Sequence, residues 1–173
     1  RENQDILDHY IAVIEGKTGS LIAAAGEYGS LLAGASEEVI QMLATYGELV
    51  GVAFQLADDV IDIVSDGASS GKTQGTDLRE GVPTLPTILL NRAAEAGDES
   101  ARQVQTLIEA DLSSDDALAA AVSALAAHPV TQEAWQIAYD WADRAIAAIA
   151  PLPDSTAKAA LESFAHAVVH REG

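Results

Sequence analysis

The run of residues 49–64, LVGVAFQLADDVIDIV, constrains the fold of this chain more than any other segment. At about 100° per residue on an α-helix, its apolar side chains cover most of the circumference. The polar side chains fall within an arc of roughly 100° and are Gln55, Asp58, Asp59 and Asp62. A helix that is apolar nearly all round is typically buried. The sequence therefore predicts a buried helix whose acidic stripe, formed by Asp58, Asp59 and Asp62, faces an internal cleft.

The carboxylates of this acidic stripe repel one another. In a cleft of low dielectric constant they must take up protons or bind cations. Oxygen ligands of this kind suit Mg²⁺, which keeps several waters and usually shares its coordination with substrate phosphates. We therefore predict a Mg²⁺ site for a diphosphate or triphosphate ligand, with Asp58, Asp59 and Asp62 as metal ligands. The alternative is a solvated acidic face, and the apolar neighbours of the stripe argue against it.

The rest of the chain also favours helices. Hydrophobic residues make up 49% of the 173 positions and aromatic residues only 5%, which favours an all-α fold and a single domain over residues 1–173. Residues 65–83 contain four glycines and are predicted to form a long irregular loop. Hydrophobic periodicity and capping residues predict helices at 4–29 (bent or loosened near Gly16 and Gly19), 36–64, 84–92, 100–110, 115–127, 130–150 and 155–170.

Charge and composition exclude several functions. The formal net charge is −18, and the nine basic residues are scattered, so nucleic acid is a poor candidate partner. The chain has no cysteine, which excludes disulfides and thiolate metal sites and is compatible with a reducing cytoplasm. No stretch reaches the ~18 uncharged apolar residues of a membrane span, and no secretory signal pattern is found. We therefore expect a cytoplasmic protein without a membrane span.

Two of the three lysines are candidate anion ligands. Lys17 lies in GKTGSLIAAAG, among small residues that allow close backbone approach, so its charge needs a partner such as a bound anion, unless the side chain reaches solvent. Lys72 lies in GASSGKT. This segment is one residue too short for a Walker A loop and follows a helix instead of a strand. Lys72 either binds a phosphate from a glycine-rich loop or is simply solvated.

Three segments occur in the order and spacing of a known family. GKTGSL at 16–21, FQLADDVID at 54–62 and GKTQGTDLREGVPTLP at 71–86 resemble consecutive signatures of the trans-prenyltransferases, the polyprenyl synthetase family. The resemblance implies an all-α helical bundle of the isoprenoid synthase type. It also implies Mg²⁺-dependent, head-to-tail condensation of an allylic diphosphate with isopentenyl diphosphate to give a polyprenyl diphosphate.

The resemblance also assigns roles to residues. The acidic stripe would be the family's second aspartate-rich motif, which holds Mg²⁺ against the allylic diphosphate. Lys17 and Lys72 would bind the same diphosphate, Thr18 and Gln55 would line the reacting carbons, and Asp77 would support the following loop. Cations stabilise the departing pyrophosphate, while hydroxyl and amide dipoles stabilise an allylic cation without capturing it.

The family's first aspartate-rich motif and isopentenyl diphosphate pocket precede the position that corresponds to Arg1. We therefore expect the C-terminal part of a synthase, inactive alone, that associates with another copy or with its missing N-terminal half. Full-length members of the family are commonly homodimers. We expect the helix at 4–29 of this chain to lie near such an interface. The alternatives are a terpene cyclase-like enzyme of the same fold and a non-catalytic regulatory subunit of a heteromeric synthase. The intact acidic stripe and Lys17 argue against the regulatory subunit.

Overall fold

The computed structural model of the protein describes residues 6–65 and 74–171. Within those ranges the chain forms nine α-helices and one π-helical turn, and no strand. The all-α prediction is confirmed. The elements are α1 (Ile6–Ile14), the π-helical turn (Glu15–Gly19), α2 (Ser20–Leu32), α3 (Glu37–Val64), α4 (Thr76–Glu80), α5 (Leu85–Glu95), α6 (Glu99–Ile108), α7 (Asp115–Ala127), α8 (Pro129–Ala148) and α9 (Thr156–Val169).

The local signals at the helix starts correspond to real caps. Ser36 precedes α3, and its Oγ accepts the N–H of Val39 at 3.5 Å. Ser155 caps α9 by accepting the N–H of Lys158 at 3.1 Å. Helix α6 begins a residue earlier than expected, because the carboxylate of Asp98 accepts the first free N–H groups. A short polar side chain at a helix start satisfies donors that have no intrahelical partner.

Helix α4 corrects the prediction that 65–83 is irregular throughout. It lies between Gly75 and Gly81, whose φ angles of 72° and 67° place them in the left-handed region. Glycine adopts this conformation without a steric penalty, so it can begin and end a single helical turn. The five residues between them are too few for hydrophobic periodicity to be recognised in the sequence.

One compact unit comprises the described residues up to Ala57 together with Ile137–Arg171. It contains α1, the π-helical turn, α2, the first part of α3, the second part of α8, and α9. Its fully buried side chains include Val52, Leu56 and Ile149. Tyr46 of α3 donates its hydroxyl to the carbonyl of Leu161 in α9 at 2.7 Å. Burial raises the pKa of Tyr46 to about 12, so the phenol stays protonated at neutral pH.

The second compact unit comprises the described residues of Asp58–Gln136. It contains the end of α3, helices α4 to α7 and the first part of α8. His128 is buried between α7 and α8. Its Nδ1 accepts the N–H of Val130 at 3.3 Å, so Nε2 carries the proton and donates it to Ser100 Oγ at 3.0 Å. These bonds fix the start of α6 to the junction of α7 and α8. The prediction of a single domain stays a prediction.

Helix α3 is the one described helix that is long and apolar enough to cross a membrane by length and composition. Its apolar side chains have partners within the protein: Val50, Val52 and Leu56 are at most 1% exposed. A core helix of a helical protein passes the same test as a membrane span, and burial accounts for the apolar character of α3. The buried helix predicted from residues 49–64 is confirmed.

Candidate functional site

The π-helical turn Glu15–Gly19 contains Lys17 and Thr18. Its bond geometry is shown by the N–H of Ser20, which donates to the carbonyl of Glu15 five residues earlier. The sequence predicted a helix that is bent or loosened here, and the structure shows the loosened form, one widened turn. Such turns are rare and often occur at functional sites. Lys17 is exposed and Thr18 is half-buried, so the alternatives of a bound anion and a solvated lysine both remain open for Lys17.

Thr18 and Gln55 are 37 residues apart and contact each other. The Thr18 hydroxyl donates to Gln55 Oε1 at 3.3 Å, a long distance for such a bond. Both side chains are half-buried. The structure therefore brings together two residues that the family resemblance assigns to the same site.

Backbone contact between the π-helical turn, α2 and α3 makes this pairing possible. A Cβ atom on Gly47 would lie 2.5 Å from the carbonyl oxygen of Ile22, and one on Gly51 would lie 2.9 Å from Gly19 Cα. Real Cβ atoms do not approach backbone atoms this closely, so only glycine fits at these positions. Gly51 precedes Gln55 by one turn of α3. The role of the glycines in α3 was missed, although their spacing of four residues on an apolar helix is a recognisable signal.

Arg171 packs on Phe54 of α3. Its guanidinium lies 4.1 Å from the centre of the Phe54 ring, and Nη2 donates to the Phe54 carbonyl at 3.4 Å. Nearby, the rings of Tyr139 and His170 stack with centres 5.0 Å apart. These contacts hold the end of the described chain against the helix that carries Gln55. Nothing in the local sequence indicated them, because the partners are 117 residues apart.

The acidic stripe occupies the last two turns of α3. Asp58 and Asp62 are half-buried and lie one turn apart on the same helix face. The Oδ2 atom of Asp62 is buried. Asp59 is only 6% exposed, and its Oδ2 accepts the N–H of Leu85 at 2.8 Å. The middle acid is thus bonded to the start of α5.

This arrangement restricts the kind of metal site that the stripe can form. Within residues 6–65 and 74–171, no group of three or more His, Cys, Asp or Glu side chains is placed to hold a metal ion. A closed protein cage is therefore not present there. Mg²⁺ is usually held by one or two carboxylates, with waters and substrate phosphates completing six ligands. Asp58 and Asp62 fit this second kind of site.

The end of α3 also fixes the chain that follows the stripe. The N–H of Gly75 donates to the Asp62 carbonyl at 3.0 Å, and Gln74 Nε2 donates to the Ile63 carbonyl at 2.6 Å. Asp77 is half-buried in α4, and its carbonyl accepts the N–H of Val82 at 2.9 Å. Lys72 lies outside the described residues. Its predicted role, like those of the other candidate residues, stays a prediction.

Solved structures that this chain resembles include prenyl diphosphate synthases. One is the geranylgeranyl pyrophosphate synthase of Corynebacterium glutamicum in complex with calcium and isoprenyl diphosphate. Its TM-score is 0.86 at 38% identity, over 99% of this chain and 52% of that one. A polyprenyl synthase from Caulobacter crescentus matches with a TM-score of 0.83 at 34% identity, over 95% of this chain and 49% of that one. The fold is the all-α isoprenoid synthase fold, as predicted.

Sequence comparison identifies the family. The polyprenyl synthetase family model matches residues 1–125. The chain is 40% identical to the nonaprenyl diphosphate synthase of Mycobacterium tuberculosis, over 99% of this chain and 50% of that protein. It is 38% identical to the octaprenyl diphosphate synthase of Escherichia coli, over 95% and 50%. The chain belongs to the polyprenyl synthetase family, and it spans about half the length of these curated relatives.

Proposed function

We propose that this chain is part of a trans-polyprenyl diphosphate synthase, which joins an allylic diphosphate to isopentenyl diphosphate in a Mg²⁺-dependent reaction. The observation that carries the proposal is the composition of helix α3. This one helix presents Gln55, bonded to Thr18 at 3.3 Å, and then the acidic stripe in its next two turns. The relatives named nonaprenyl and octaprenyl diphosphate synthases support the same reaction.

In this proposal the acidic stripe is the Mg²⁺ site, with Asp58, Asp59 and Asp62 as the predicted ligands, of which Asp58 and Asp62 are the more exposed. Lys17 and Lys72 bind the allylic diphosphate. Bound Mg²⁺ would place positive charge on the departing pyrophosphate, where negative charge develops as the allylic C–O bond ionises. The lysine ammonium groups stabilise the same developing charge. Asp77 supports the loop through its place in α4.

Thr18 and Gln55 act on the carbon side of the reaction in this proposal. Their oxygen dipoles stabilise an allylic cation, and neither group is ionised at neutral pH, so neither is a strong nucleophile. Each is half-buried, and α3, which carries Gln55, also carries fully buried apolar side chains such as Val52 and Leu56. An apolar surrounding of this kind helps to exclude water that would otherwise capture the cation.

The whole protein is proposed to contain more of the catalytic machinery than this chain does. DDxxD occurs once in the 173 residues, and we propose that condensation needs further residues, so that this chain alone does not turn over. Exposed apolar side chains on α1 and α2, including Ile6, Leu21 and Leu32, support association with a second copy in a homodimer. We also propose that the chain forms a single domain. A cytoplasmic location is proposed as well, and a chain without cysteine is compatible with that reducing compartment.

Product analysis tests the proposed reaction. The protein as its source expresses it is incubated with farnesyl diphosphate, radiolabelled isopentenyl diphosphate and Mg²⁺. We expect labelled linear polyprenyl diphosphates, and none from the isolated 173-residue chain. Cyclic hydrocarbons formed without isopentenyl diphosphate would instead indicate a terpene cyclase. Robust condensation by the isolated chain would refute its proposed inactivity.

A binding measurement tests the metal site without turnover. We expect Mg²⁺ together with inorganic pyrophosphate to raise the Tm of the native protein by several degrees, since a ligand at 100 times its Kd adds about 2.7 kcal/mol of stability. Asp62→Asn is expected to remove most of this shift. Glu133→Gln is the matched control, because it removes one charge from an exposed position in α8. An unshifted Tm in the unmodified protein would favour a non-catalytic regulatory subunit.

A further inference from the structure

We propose that Asp59, the middle acid of the stripe, is a positioning residue that caps helix α5 and does not ligate the metal. The three acids of the stripe would then have different roles, and for Asp58 and Asp62 as metal ligands this inference rests on the proposed function. It starts from a short bond: Asp59 Oδ2 accepts the backbone N–H of Leu85, the first residue of α5, at 2.8 Å.

The first N–H groups of an α-helix have no partner within the helix. At the start of α5 the donors have partners within the protein. The N–H of Thr84 donates to Thr87 Oγ1 at 3.0 Å, Leu85 donates to Asp59, and Pro86 has no N–H. The positive end of the helix dipole additionally favours a carboxylate at this place. The Asp59 carboxylate is therefore an integral part of this helix start.

Burial makes the Asp59 bond hard to replace. Thr84 is 2% exposed, Leu85 is fully buried, and Asp59 is 6% exposed. A water molecule that substituted for the carboxylate would need room and further polar partners at this place. Without Asp59, the Leu85 N–H would be a buried donor lacking its acceptor, which is costly in a folded protein.

The bond also explains how Asp59 affects its neighbours. Asp58 and Asp62 project from one face of α3, and Asp59 projects about 100° further round the helix from Asp58. A bond from Asp59 to the backbone of α5 fixes the rotation of α3 about its own axis at this level. That rotation determines where Asp58 and Asp62 point. Asp59 thus holds two candidate metal ligands in orientation while its own Oδ2 is bonded to α5.

This role connects two of the sequence signatures. DDVID lies at 58–62, and TLP, at 84–86, opens α5. The bond from Asp59 to Leu85 joins them directly, over a separation of 26 residues. The three acids of the stripe then serve two purposes. Two carboxylates bind a shared metal, and the third caps the start of the next helix.

The test compares Asp59→Asn with Asp59→Ala in the native protein. Asparagine keeps an oxygen that can accept the Leu85 N–H, and alanine does not. Without metal, we expect Asp59→Ala to lower the Tm by roughly 3–8 °C and Asp59→Asn to restore most of that loss. Glu133→Ala is the control: it removes a carboxylate from an exposed position in α8 and is expected to leave the Tm nearly unchanged.

The second measurement is the affinity for Mn²⁺ with inorganic pyrophosphate, from the electron paramagnetic resonance signal of free Mn²⁺. We expect Asp58→Asn and Asp62→Asn to weaken binding roughly tenfold or more. Asp59→Asn should bind more tightly than Asp59→Ala, because rescue by asparagine is specific to the cap. Equal weakening by Asp59→Asn and Asp59→Ala, matching Asp58→Asn, would overturn the inference; so would an unchanged Tm of Asp59→Ala without metal. Failure of the unmodified protein to bind Mn²⁺ with pyrophosphate would instead refute the proposed function, while the Tm comparison would still decide the cap.

Discussion

Replacing Gly47 by alanine is expected to destabilise the protein by about 2–4 kcal/mol, although the change adds a single methyl group. The new Cβ would lie 2.5 Å from the carbonyl oxygen of Ile22 and 2.8 Å from Ala23 Cα. Both are backbone atoms, so α2 must move away from α3 as a whole. The Tm of the native protein measures the loss, and we expect Gly51→Ala to act in the same direction.

Gly29→Ala is the matched control for this prediction. Gly29 lies in α2, and a Cβ there would meet nothing within 4 Å. Alanine favours helix over glycine by roughly 0.5–1 kcal/mol, so Gly29→Ala should be neutral or stabilising. If Gly47→Ala unfolds at the same temperature as Gly29→Ala, the two helices do not depend on backbone contact at this place. Activity should fall in Gly47→Ala below the melting range as well, because Thr18 moves away from Gln55.

The largest effect on turnover is expected from Asp58→Asn. On the proposed function, Asp58 holds the Mg²⁺ that neutralises the departing pyrophosphate, and removing one such electrostatic contribution typically costs about 10²–10³-fold in kcat. The rate of incorporation of labelled isopentenyl diphosphate by the native protein checks this. The Tm without metal, measured on the same variant, separates a loss of turnover from a loss of stability.

Glu133→Gln again serves as the control for charge, with turnover close to that of the unmodified protein. If Asp58→Asn keeps more than about a tenth of the original rate, then Asp58 does not hold an essential metal. Such a result would leave the family membership untouched, because it concerns only the role of one residue within α3.

The sequence pattern predicted those features that depend only on residues within one helix. Residues 49–64 predicted a buried helix with a polar stripe, and α3 has that form, with Val52 and Leu56 fully buried. Ser36 and Ser155 predicted helix starts, because capping needs only a side chain and the next turn of the same helix. The five-residue α4 was missed, since one turn has no period to detect.

The hydrogen-bonding and packing partners of these side chains could not be predicted from their neighbours in the sequence. The three acids of the stripe look equivalent in the sequence, yet only Asp59 accepts the N–H of Leu85, 26 residues away. Arg171 had no recognisable role until it was seen against Phe54. In both cases the contact depends on which helices pack together, and a periodic pattern carries no information about that choice.

The order of residues along the chain was enough to predict the longer helices, the acidic stripe and the family, because hydrophobic period, capping and motif order are all read along the chain. The packing of helices was needed to show that Thr18 meets Gln55, that Gly47 and Gly51 must be glycines, and that Asp59 accepts the N–H of Leu85. The physical reason is that these features arise from distances between backbones of separate helices. Such distances are set by the packing of all the side chains together, and no single segment encodes them.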